Sequence, residues 1–311
     1  MTYFSAVVSL ADPDRLAAAL DAFDANGAVK PYRQYLEADE IREAEAAGRA
    51  LLAEVPAREP ARHAPDDLVA TLSAKVGQDV QVETVDGICA YYYMSTRNRE
   101  AELDGWKIGG RWSRHFKPRC TGDRDLIRGE APAGAEVAAD AGSALAGWVA
   151  GGLKSALDID GTRDEVGGLA AREWDAFDGQ RKQHPPALGW SGFLARSIAE
   201  PDPYPITRAR ADYQAQPLVA ALGSVRPFMA PCPIDQYGVG RDAYIQQERD
   251  RAIPGYALLT LEGEWVKPGD IGMFGTSSAD EGSMAIYRDR VNAYVDALPD
   301  HTWLIAAECH A

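Results

Sequence analysis

Two short stretches of this chain carry side chains whose types and spacing could do chemistry. The first is Glu308-Cys309-His310. On a strand, alternate side chains share a face, so Glu308 and His310 point together and Cys309 points away. A carboxylate beside an imidazole makes an acid/base pair, or two ligands of a metal site that needs at least one more donor. His115 is the candidate for that donor. The second stretch is Lys107-Ile108-Gly109-Gly110-Arg111-Trp112. Two glycines permit a sharp bend and a close approach of backbone to ligand. A guanidinium held beside exposed backbone N–H groups suits a phosphate or carboxylate, because its planar fork makes two parallel charge-assisted bonds.

Each stretch also has a plain structural reading. The tail frays, as termini often do, and Cys309 is core. The corner closes on an internal acid paired with Arg111, and Trp112 fills space. Trp106, Trp112, Trp265 and Phe274 all stand beside glycines and could form an aromatic wall that stacks a ring; aromatics in such places also close cores. The candidate ligand-binding set is Lys107, Gly109, Gly110, Arg111, Trp112 and Trp265. Recognised phosphate loops need more glycines and a strand-to-helix context, and neither a Gly-x-Ser-x-Gly elbow nor a His-Glu-x-x-His helix is present. The residues therefore name neither a reaction nor a cofactor, and leave the identity of any metal unknown.

A formal charge of −15 argues against general affinity for nucleic acid. The balance is uneven: Arg97 to Arg128 carries about +4, which leaves about −19 for the remainder. A basic segment in an acidic body favours a compact anion over a long polyanion, unless its cations pair with the acidic surface. Cys89, Cys120, Cys232 and Cys309 are widely spaced and suit reduced thiols better than a zinc site or a disulfide framework. No run is long and apolar enough to span a bilayer, and Met1-Thr2-Tyr3-Phe4 lacks a basic lead, so a cytoplasmic protein is expected.

The elements that must position these residues are read in order. Phe4–Leu10 is β-rich, and Asp12-Pro13 starts a helix with Leu16, Leu20 and Phe23 on one face. Pro31–Leu36 reads as a connector, Asp39–Leu52 as an exposed helix, Val55–Pro65 as a loop carrying an exposed His63, and Asp66–Lys75 as a further helix. Val80–Val85 and Gly87–Met94 are strands joined at Asp86-Gly87, a favoured hairpin turn. Ala131–Gly152, rich in Ala, Gly and Asp, reads as a flexible or peripheral insertion. Helices are expected at Ala170–Phe177, at Thr207–Leu222 with a kink at Pro217, and at Arg241–Arg251, with a proline-rich connection over Pro185–Pro205 and another connector at Pro227–Pro233. Tyr256–Leu261 and Glu264–Val266 are strands about a turn, followed by the glycine-bearing loop Lys267–Gly275. A helix with Tyr287, Val291, Tyr294 and Leu298 on one face ends at Pro299, and Thr302–Ala307 is the closing strand.

The outer parts thus read strand, helix, strand, strand, helix, strand. That order predicts an α+β fold: a ferredoxin-like, split β-α-β antiparallel sheet in one domain over 1–311, with 120–250 a long, partly helical insertion.

Pro31-Tyr32-Arg33-Gln34-Tyr35-Leu36, Ser95-Thr96-Arg97-Asn98, Gly105–Trp112 and Asp212–Pro217 carry a resemblance, together with Glu262-Gly263-Glu264-Trp265, Gly272-Met273-Phe274-Gly275 and Glu308-Cys309-His310. In these pieces the chain resembles a family of uncharacterised proteins of phages, prophages and Gram-positive bacteria. The resemblance spans the chain outside the Ala/Gly-rich insert. It departs at Thr96-Arg97-Asn98-Arg99, where the family reads more like Thr-Tyr-Asn-Pro. It implies a shared architecture and brings no activity with it.

Two functions are compatible with these readings. In the first, the protein binds a small anion, a nucleotide or phosphorylated metabolite, at the Gly-Gly-Arg corner, with Glu308, His310 and His115 supplying acid/base or metal chemistry if it is an enzyme. In the second, it is an acidic, phage-type interaction protein that inhibits or mimics a host component through a protein partner.

Overall fold

The computed structural model describes residues 3–27, 29–53, 65–85, 88–119, 124–130, 145–223, 232–271 and 277–310. His63, the Asp86-Gly87 turn, most of Pro227–Pro233 and the Gly272-Met273-Phe274-Gly275 loop lie outside them. In chain order the strands and helices are β1 (Tyr3–Leu10), α1 (Leu16–Asp21), β2 (Tyr32–Tyr35), α2 (Ala38–Ala53), α3 (Pro65–Val76), β3 (Val80–Val85), β4 (Ile88–Ser95), β5 (Gly105–Ile108), β6 (Leu126–Ile127) and β7 (Gly151–Leu153). There follow α4 (Ile159–Arg181), α5 (Trp190–Ala199), α6 (Ile206–Gln214), α7 (Pro217–Gly223), α8 (Pro233–Gly238), α9 (Arg241–Arg251), β8 (Ala257–Leu259), β9 (Trp265–Val266), α10 (Glu281–Ala297) and β10 (Trp303–His310). The fold is α+β, and no described helix is long and apolar enough to cross a membrane.

The chain divides into two compact units, Leu20–Asp104 and the remainder, Met1–Ala19 with Gly105–Ala311. The smaller unit pairs its strands in the order β2-β4-β3, all antiparallel. Alternation along β4 sends Tyr91 and Tyr93 to a core with Leu36, Ala44, Leu72 and Val80. Tyr92 faces the other way, where the Arg33 guanidinium lies 4.9 Å from its ring centre. The Pro31–Leu36 segment is therefore largely strand: its alternating tyrosines suit an edge that pairs with β4.

In the larger unit the sheet runs β6-β7-β10-β1-β8-β9, with β5 also on β10. β10 holds β1 antiparallel along its full length, from Tyr3 opposite His310 to Leu10 opposite Trp303. Its other edge is shared: β7 takes Trp303–Ile305 and β5 takes Ala307–His310. One sheet face, with Val7, Leu258, Val266, Leu304 and Ala306, packs on Tyr287, Val291 and Val295 of α10. A second cluster joins Ala170 and Phe177 of α4 to Leu218, Leu222, Tyr237 and Tyr244.

The ferredoxin-like arrangement is not formed. It needs an antiparallel strand between two parallel ones, whereas β1 and β8 lie side by side and parallel. The 80–95 hairpin, which would have supplied strands to that sheet, pairs instead with β2 in the smaller unit. Nor is 120–250 wholly an elaboration. Trp148, Val149 and Ala150 are buried, and β7 lies against β10 so closely that a Cβ at Gly151 would collide with the Leu304 carbonyl. The part over 131–144 lies outside the described residues. The proline-rich connection likewise contains a helix, α5, whose first amides bond to the Asp235 carboxylate.

Candidate functional site

Strand alternation fixes one half of the site. Glu308 and His310 share a face of β10, and register aligns Glu308 with Ser5 of β1 and Lys107 of β5, while His310 aligns with Tyr3 and Gly105. Cys309 faces the opposite side, fully buried; burial, with the nearby Glu308 charge, pushes its thiol up to about 12. It is core, and the tail is strand as far as His310.

The glycine corner supplies the other half. Gly109 and Gly110 both have positive φ, 73° and 55°, and turn the chain after β5 into a single 3-10 turn over Gly110–Trp112. A Cβ at Gly110 would lie 2.6 Å from Glu308 Oε2 and 2.6 Å from Lys107 Cε, so only glycine fits both the angle and the space. The turn brings the Arg111 amide within 2.8 Å of Glu308 Oε2, and Lys107 Nζ lies 2.8 Å from Oε1. Glu308 is thus a buried carboxylate, its side chain 2% exposed, with a charged donor on one oxygen and a backbone donor on the other. Burial pushes its pKa up. Together the Lys107 bond, the Arg111 amide and the two positive charges outweigh that push and hold it below the ordinary carboxylate value.

Arg111 is positioned differently. Its guanidinium lies over the Tyr3 ring, 4.0 Å from the centre, and its Nε is 3.8 Å from Glu308. The side chain is 56% exposed. His310 meets the same tyrosine edge-on at 4.5 Å. Its Nε2 is 3.7 Å from Glu308 Oε1, beyond hydrogen-bond reach, and has no hydrogen-bond partner among the described residues.

The structure therefore brings together Lys107, Gly110, Arg111, Glu308 and His310, and adds Tyr3, which no sequence pattern singles out. Tyr3 becomes identifiable only through its register with His310. Other candidates are elsewhere. His115 is partly buried, with its Nε2 at 3.0 Å from the Ile253 carbonyl; desolvation lowers its pKa, and that hydrogen bond only partly opposes the shift. No group of three or more His, Cys, Asp or Glu side chains among the described residues is arranged to hold a metal. Trp265, paired through Leu259 to Val8, points to the sheet face opposite Glu308 and meets Phe4 at 6.5 Å. Trp106, opposite Cys309, shares that far face, and Trp112 packs against the α10 core. No aromatic wall is assembled from these three.

Two further expectations change. Four amides of the corner are not open to a ligand: those of Gly109, Arg111, Trp112 and Ser113 bond to Ala306, Glu308, Gly109 and Gly110. The basic segment is also divided, since Arg97 and Arg99 belong to the smaller unit, while Lys117 and Arg119 face Glu165 and Asp158. What remains at the corner is a pair of cations on one buried anion, with an excess of one positive charge. Comparison of the chain with models of protein families, with curated proteins and with solved structures gives no significant match in any of the three.

Proposed function

We propose that the protein binds a small phosphorylated molecule at the Lys107–Arg111 corner, with Glu308 as the anchor of the site. The observation that carries this reading is the state of Arg111. Stacking on Tyr3 fixes its guanidinium, yet its only described carboxylate contact is a loose one at 3.8 Å, and more than half the side chain is exposed. A planar fork held in place with its donors open is suited to a second oxyanion. Lys107 stands beside it, and the two cations exceed the single Glu308 charge.

The same geometry speaks against Glu308 as a proton carrier. A carboxylate held below its usual pKa is a weak base, and both its oxygens already accept hydrogen bonds. Its service is to hold Lys107 and the Arg111 turn in register.

The test is thermal unfolding with sodium phosphate titrated at constant ionic strength. At ten times the dissociation constant a ligand stabilises by about 1.4 kcal/mol. The wild type should show a saturable rise in midpoint and Arg111→Ala none. Equal rises in both proteins would end the proposal.

A further inference from the structure

A cavity of about 490 Å³, open to solvent, lies in the larger unit and shares no residue with the corner. Arg119 and Lys154 line it together with Asp160, Asp296 and Asp300, and Ile159 is the one apolar residue of its lining. Opposite charges in one cavity attract, and long side chains ordinarily swing to meet. Here they do not. Among the described residues no ion pair joins Arg119 or Lys154 to any of the three aspartates.

The cause is anchoring to the backbone. β7 runs into a single 3-10 turn, Lys154–Ala156, which sets Lys154 Nζ against the C-terminal end of α10. There it donates to the carbonyls of Asp296 at 2.8 Å and Leu298 at 2.5 Å. Carbonyls at a helix C-terminus lack partners within the helix and carry its negative dipole end, so they hold a cation well. An ammonium has three protons, and one is left. Arg119 donates Nε to the Leu157 carbonyl at 2.9 Å. Its described carboxylate contact, Asp158 at 3.8 Å, is loose, and that oxygen already accepts the Gly161 amide as the cap of α4. With the side chain 57% exposed, the outer edge of the guanidinium is open.

The acidic side is fixed independently. Arg163 bridges Asp160 and Asp296, at 3.3 and 2.9 Å, and one cation thus serves two carboxylates. Asp300 has no described cation, while its carbonyl accepts the Ser155 amide at 3.0 Å, which ties it to the Lys154 turn. Such a lining rejects simple ions. A phosphate would meet three carboxylates, and a metal ion two fixed cations; nor are acidic, His or Cys side chains among the described residues arranged to hold a metal. A molecule that carries both signs satisfies both sets at once, and a net charge of +1 complements two cations facing three anions. The volume suits it, since small-molecule sites enclose about 300–1,000 Å³.

We propose that this cavity binds a basic α-amino acid, with its carboxylate on Arg119 and Lys154 and its two cationic groups on the aspartates. The proposal goes beyond the phosphate reading of the corner and does not depend on it.

The experiment is calorimetric titration of the full chain with L-lysine, L-arginine, cadaverine, which lacks the carboxylate, and norleucine, which lacks the side-chain cation. At least one basic amino acid should bind with a Kd below about 1 mM. It should bind at least about tenfold more tightly than cadaverine or norleucine, because each analogue forfeits charge-assisted hydrogen bonds. Arg119→Ala should bring that amino acid down to the level of cadaverine and leave cadaverine unchanged. Asp300→Asn should weaken both. The two side chains are exposed, so both variants should fold, and their unfolding midpoints check this. Arg111→Ala should bind the amino acid as the wild type does, which separates this cavity from the corner. The proposal is overturned if neither basic amino acid binds, if cadaverine or norleucine binds equally well, or if either cavity variant keeps the full affinity.

Discussion

Glu308→Gln is the most informative single change to the larger unit. Glutamine keeps the shape and one acceptor oxygen, so the Arg111 amide retains a neutral partner while Lys107 loses its counter-charge. Hydrogen bonds to a charged group contribute roughly 1.5–3 kcal/mol each, which sets the ceiling. Lys107 is 38% exposed and regains water when its partner is neutralised, so most of its share is returned to solvation. The expected loss at neutral pH is about 2 kcal/mol, dominated by the buried end of the pair. The pH dependence is sharper evidence than the size. The Glu308 pKa in the folded protein lies below the ordinary glutamate value of 4.5, so the unfolded chain binds its proton first as pH falls. The stabilisation is therefore complete above about pH 4.5 and disappears as pH drops through the lower folded value. Urea unfolding of both proteins from neutral pH down into the acid range measures it, and the difference between them cancels the other carboxylates. The gap should close toward acid. A gap that stays constant with pH, or is below about 0.5 kcal/mol at neutral pH, would refute the idea that Glu308 is an ionised anchor.

Two other outcomes follow from the same geometry. Gly110→Ala combines a positive φ with a Cβ only 2.6 Å from two side chains, so it should cost at least about 2 kcal/mol and abolish phosphate binding; Gly147→Ala, with φ 85° and nothing within 4 Å, should cost only the backbone strain, about 1 kcal/mol. Denaturant titrations of the two variants give the comparison, and equal losses would show that close packing at the corner contributes nothing. Cys309, buried with its thiol pushed up to about 12, should resist iodoacetamide in the folded protein while exposed Cys89 reacts, as peptide mass mapping would show; early labelling of Cys309 would contradict the burial.

Short-range physics made much of this visible beforehand. Period-two alternation predicted that Glu308 and His310 share a face apart from Cys309, and a double glycine announced the corner. The 287–291–294–298 stripe likewise marks α10 from residue types alone, and the structure adds the Asp280 cap, which bonds the Ser283 amide. Long-range pairing was not legible. Nothing in Gly151-Gly152-Leu153 signals a strand, because its value lies in letting β10 approach, not in β propensity. Adjacent parallel pairing of β1 with β8 and the capture of His115 by the Ile253 carbonyl depend on which segments meet across hundreds of residues. The placement of Trp265 was hidden for that reason: its neighbours in sequence suggested a ligand wall, and the sheet register turns it to the face opposite Glu308.

The pairing of Tyr3 with His310 has a consequence in time. During synthesis β1 leaves the ribosome first, and its partner along its whole length follows some 300 residues later. At roughly 5–20 residues per second the delay is on the order of 15–60 s. The smaller unit, contiguous in sequence, can complete its own hairpin pairing within that interval. β1 cannot: its inner residues, Phe4 to Ser9, are all buried in the finished protein and must wait as an unprotected apolar segment. Nascent chains arrested before β10 therefore lack the antiparallel partner of β1 and the Glu308 anchor at once.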